Sequence, residues 1–150
     1  MKNTIIYAVL ALILSSFNNI NQPGASINQN KATVNDTLVS QKGYSEVNGI
    51  KMYYEIYGQG QPLVLIHGGG STIETTFGRI IPMLAKRYKV IAMDLQAHGR
   101  TSDRPVPESF DQDADDVVTL LKNLNISKAD FFGFSNGVQL LLRSPFVILK

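Results

Sequence analysis

The sequence predicts an α/β domain whose sheet is mostly parallel and begins with an antiparallel hairpin. Three observations predict it. Residues 63–66 and 90–93 are uninterrupted apolar runs, and 130–134 is a third short run led by Asp130; strands covered on both faces read this way. Between them apolar residues recur at helical spacing. Ahead of them Asn48-Gly49 separates 44–47 from 50–57 and supplies the positive φ angles of a two-residue hairpin turn.

Composition narrows the class. The 150 residues are 44% hydrophobic and 17% charged, with no Cys and a formal charge of +2. That profile excludes disordered tails, collagen-like repeats and disulfide scaffolds, and the scattered basic residues do not make a nucleic-acid surface. Without cysteine there is no thiolate nucleophile and no cysteine-based zinc site. Two histidines, His67 and His98, are too few for a histidine-rich metal centre.

The elements follow in order. Residues 1–26 read as a signal peptide, with Lys2 as the positive region, 5–14 as the apolar run and Pro23-Gly24-Ala25-Ser26 in the polar end. The apolar run is shorter than the about 20 residues a bilayer helix needs, so the chain is expected to be exported, periplasmic or extracellular, with no stable membrane span after cleavage. Residues 27–43, polar and without a consistent period, are expected to be a linker, and the domain is expected over 44–150. After the hairpin and the central strand 63–66, Phe77, Ile80, Ile81, Leu84 and Ala85 predict a helix that Pro82 limits or bends. Strand 90–93 leads into a polar stretch, 94–108, whose length marks a functional loop. Ala114, Val117, Val118, Leu121 and Leu124 predict the next helix; Asp111, Asp113, Asp115 and Asp116 stand near its start, where the helix dipole favours negative charge.

Three segments fall at the carboxyl ends of the predicted parallel strands. Gly133-Phe134-Ser135-Asn136-Gly137 is a G-x-S-x-G pattern directly after a strand. A serine hydroxyl is a weak nucleophile and has to project from a sharp turn toward a base, which the flanking glycines allow. His67-Gly68-Gly69-Gly70 follows the strand 63–66, and successive glycines let backbone N–H groups face a developing oxyanion. His67 precedes the serine, against the expected order of serine, acid and histidine, and reads as a structural histidine shaping that loop. The third segment is Asp94-Leu95-Gln96-Ala97-His98-Gly99-Arg100-Thr101-Ser102.

In order and spacing these three segments resemble the amino-terminal half of the α/β-hydrolase superfamily, from Tyr44 to Gly137. The resemblance implies an α/β-hydrolase-type sheet, here incomplete, and a serine hydrolase acting on an ester or other small acyl substrate without a cofactor or metal. It makes Ser135 the catalytic nucleophile and the N–H groups of Gly69 and Asn136 the oxyanion donors. Gly68, Gly70, Gly133 and Gly137 shape the loop and the turn. His98, Asp94 and Ser102 are expected to brace the third loop, where Ala97 replaces the usual glycine.

The resemblance stops at Gly137. Residues 136–150 contain no Asp, Glu or His, so the catalytic acid and histidine are not supplied there. A one-base shift of a back-translated tail can be made to read as an amphipathic helix ending in Arg-His-Pro, and a truncated or frameshifted, inactive hydrolase is the expectation. Two other readings compete. One is a non-catalytic binding fragment. The other is a dinucleotide-binding oxidoreductase, with Gly68-Gly69-Gly70 after a strand and Asp94 ending the next; its glycine pattern fails at Ile73 and leaves the serine turn unexplained.

Overall fold

The computed structural model describes residues 39–143. The expected signal peptide, most of the expected linker and the tail 144–150 lie outside them. The elements run β1 (Val39–Val47), β2 (Ile50–Tyr57), β3 (Gln61–Ile66), α1 (Ile73–Phe77), α2 (Ile81–Leu84), β4 (Tyr88–Met93), α3 (Phe110–Asn123), β5 (Asp130–Gly133) and α4 (Asn136–Arg143).

The strands form one sheet in the order β1-β2-β4-β3-β5. β2 is antiparallel to both β1 and β4, whereas β3 is parallel to β4 and β5. Four strands therefore run one way and β2 alone runs against them. β3 is an interior strand because both its faces are apolar: Val64, Leu65 and Ile66 are fully buried between β4 and β5. Alternate side chains sort into two cores, as the strand period of two requires. Ile56, Val64, Ile66, Ile91 and Met93 pack under α3 and α4. Tyr57, Leu63, Leu65, Val90 and Ala92 pack under α1 and α2.

The Asn48-Gly49 turn has φ of 44° and 89°, as the hairpin requires. Two expectations change. The strand β1 starts at Val39, so 39–43 belong to the sheet and not to a linker; they pair with β2 from Tyr54 to Tyr57. Edge position hid this, since exposed Gln41 and Lys42 carry no apolar alternation. The helix expected around Pro82 is two helices. Thr72 caps α1, its hydroxyl accepting from the Thr75 N–H and the Thr75 hydroxyl from the Thr72 N–H. Pro82 then sits in the first turn of α2, where its missing N–H breaks no helical bond.

Ser109 caps α3, its hydroxyl accepting from the Gln112 N–H at 3.2 Å. It buries Ala114, Val117, Val118, Leu120 and Leu121. At the other side of the sheet β5 pairs only with β3 among the described residues, and Phe132 within it and Phe134 just after it are half exposed.

Candidate active site

The carboxyl ends of β3, β4 and β5 bring the three sequence segments together. Ser135 follows β5 with φ of 53°, a left-handed conformation that costs a non-glycine residue about 1 kcal/mol or more. The surrounding contacts hold it there. The Phe134 N–H donates to Ile66 O, Gly137 N–H to Phe134 O and Val138 N–H to Ser135 O, each at 3.0 Å. A Cβ on Gly133 would lie 2.7 Å from the Gly137 carbonyl, and one on Gly137 would meet the Ile66 carbonyl. Both glycines are therefore needed where strand and helix cross.

Gly68 lies against the same serine: a Cβ there would be 2.9 Å from the Ser135 Cβ. Gly69 faces Asn136, with a hypothetical Cβ 2.8 Å from its Nδ2. Neither the Gly69 nor the Asn136 N–H donates a hydrogen bond among the described residues. Gly70 has open space around it, and its φ of 66° explains the glycine. The hydroxyl of Ser135 is exposed and has no hydrogen-bond partner among the described residues.

Both histidines spend both ring nitrogens on backbone groups, and they interlock. His67 is fully buried; its Nε2 accepts the Leu95 N–H at 3.0 Å and its Nδ1–H donates to Gly68 O at 2.7 Å. Burial above all pushes its pKa down, with nearby His98 acting the same way and the Gly68 carbonyl and Asp94 opposing. The unfolded chain takes up a proton that the folded chain excludes, so stability is lost as pH falls through the imidazole range.

Asp94 is buried and accepts the Ile73 N–H at 2.9 Å and the Arg100 N–H at 3.0 Å. Ser102 accepts the Lys51 N–H at 2.9 Å. These bonds tie the loop after β4 to α1 and β2. Ala97 has φ of 57°, which accounts for a glycine being usual there. Arg100 lies 4.4 Å over the Tyr53 ring and reaches Glu55 at 3.2 Å. Glu55 also accepts from the phenols of Tyr53 and Tyr57, and burial with these bonds raises both phenol pKa values.

Beside the triple-glycine loop lies a cavity of about 510 Å³ lined by Gly69, Asn136, Leu95, Leu140, Phe110 and Asp113, among others. In the sequence Asp113 is one of four acids near the start of α3, and only the fold puts it in the cavity wall. Burial, then Asp116 and Glu108, raises its pKa from 3.8 to about 6. The folded state keeps a proton that the unfolded chain releases, so this stabilisation is complete below pH 3.8 and is lost as pH rises through about 6. Asp113→Asn is expected to add about 1 kcal/mol at neutral pH, allowing for solvent screening, and little in acid; urea denaturation at the two pH values measures it. Among the described residues no group of three or more His, Asp or Glu is placed to hold a metal.

A family profile described as alpha/beta hydrolase fold matches residues 61–142, which hold all three segments. The chain belongs to that family. Among curated hydrolases it is 33% identical over 97 residues to the 2-hydroxy-6-oxo-6-(2'-aminophenyl)hexa-2,4-dienoic acid hydrolase of Metapseudomonas resinovorans, covering 63% of this chain and 33% of that one. It is 38% identical over 97 residues to the human serine hydrolase BPHL, covering 61% and 33%. Among solved hydrolase structures, the enol-lactonase of Burkholderia xenovorans superposes with a TM-score of 0.61 at 27% identity, over 67% of this chain and 39% of that one. The chain spans about a third of the length of the two curated relatives.

Proposed function

We propose that the site is the acyl-transfer half of a serine hydrolase, taking small ester or other acyl substrates. The observation that carries this reading is the left-handed turn that exposes Ser135 beside two uncommitted amides, those of Gly69 and Asn136. In the proposed step Ser135 Oγ bonds to the acyl carbon as its proton passes to water or an added base, the carbonyl oxygen takes negative charge facing the two N–H groups, and collapse of that intermediate re-forms the carbonyl and expels the leaving group, which takes up the proton. Gly68, Gly70, Gly133 and Gly137 shape the loop and turn. The names of the relatives, a serine hydrolase and an enol-lactonase among them, support acyl chemistry.

The proton of Ser135 needs an acceptor. His67 and His98 both use both ring nitrogens elsewhere, and 136–150 offers no Asp, Glu or His. These 150 residues by themselves are therefore inactive as a turnover catalyst in this reading. Incubation with a fluorophosphonate followed by peptide mass spectrometry tests the assignment. Slow labelling of Ser135 alone is expected, about 10⁴-fold or more below a hydrolase that has its histidine, and none in Ser135→Ala. Equal labelling of the variant, or no label at all, favours the non-catalytic binding fragment.

A further inference from the structure

The two histidines form a reciprocal clamp between neighbouring loops. His67, after β3, accepts the Leu95 N–H from the loop after β4; His98, in that second loop, accepts the Gly70 N–H from the first at 3.0 Å. Their rings lie 5.1 Å apart. Because the Gly70 N–H is a donor, Nε2 of His98 is bare of hydrogen, and Nδ1–H donates to Gln96 O at 2.7 Å. One neutral tautomer satisfies both bonds.

We propose that His98 is a positioning residue for the oxyanion loop, withdrawing the Gly70 N–H from the reaction centre and holding the loop so that the Gly69 N–H is presented instead. The inference rests on the reading of Gly69 and Asn136 as oxyanion donors. Gly68 O is already held by His67 Nδ1–H and by the Ser71 hydroxyl, both at 2.7 Å. Beyond Gly69 the loop is therefore steered by the bond at Gly70, where the positive φ turns the N–H toward His98. An imidazolium has N–H on both nitrogens and cannot accept, so protonating His98 releases Gly70. The charged and titratable groups around this ring are His67 across the clamp and Glu108 and Asp113, which line the same cavity.

The experiment uses the whole ¹⁵N-labelled chain, titrated from about pH 8 to 5. The expected result is a neutral Nδ1–H tautomer at His98 and a Gly70 amide resonance that moves with the same midpoint as the His98 ring nitrogens. His98→Gln, whose side-chain carbonyl can accept and whose amide can donate, is expected to keep the Gly70 amide at its neutral-pH position throughout. His98→Ala is expected to displace that amide and to slow fluorophosphonate labelling of Ser135 about tenfold or more. A Gly70 amide that ignores the His98 titration, or wild-type labelling in His98→Ala, overturns the inference. Absence of Ser135 labelling in the wild-type chain overturns the hydrolase reading instead, and is distinguished by an intact Gly70 titration.

Discussion

Alanine at Gly137 is expected to cost the folded chain about 3 kcal/mol, the upper end of overpacking, because the atoms it meets cannot move aside. The obstruction is backbone on two sides. A Cβ there would press on the Ile66 carbonyl and approach His67 O to 3.1 Å, at the end of β3. In turn the Gly137 carbonyl lies against Gly133, so the helix cannot retreat without opening the crossing of β5 and α4. Thermal or urea unfolding of Gly137→Ala beside Gly70→Ala separates two kinds of glycine. Gly70 has nothing within 4 Å of its missing Cβ, so alanine there costs only left-handed strain of about 1–2 kcal/mol.

Removing the Asp116 carboxylate is expected to cost about 3–5 kcal/mol, because it would leave a buried guanidinium without its counter-ion. Asp116 is fully buried and Arg104, with a side chain 9% exposed, meets it at 2.7 Å. Asn48 and Gln112 also donate to the carboxylate, at 2.8 and 3.0 Å. Arg104 Nε and Nη1 have no partner among the described residues, so nothing there takes over the charge. Asp116→Ala should therefore unfold far more easily than the double variant Arg104→Met with Asp116→Leu, which removes both charges and fills the space. Equal losses in the two would mean that packing alone is at stake. The pair joins the loop after β4 to α3, and Asn48 extends it to the hairpin turn, so the same variant should loosen the loop that carries His98.

Much of the fold was legible because burial on both faces leaves a mark in sequence. The central strands read as unbroken apolar runs, the hairpin turn was announced by Asn48-Gly49, and α3 showed its buried stripe. The turn around Ser135 was legible because only glycine fits at 133 and 137. Elements held by other forces were not. β1 from 39 to 43 is an exposed edge held by backbone pairing, and the two short helices owe their break to capping at Thr72 and the placement of Pro82.

By itself, the sequence determined the fold class, the apolar inner strands and the three loops that gather at one end of the sheet, since periodicity and glycine placement are local properties. Only the tertiary structure decided that β4 inserts between β2 and β3, that Asp113 titrates in a cavity wall, and that His67 and His98 exchange bonds across two loops. Those outcomes depend on which distant groups share a low-dielectric space or a hydrogen bond. No spacing along the chain encodes that.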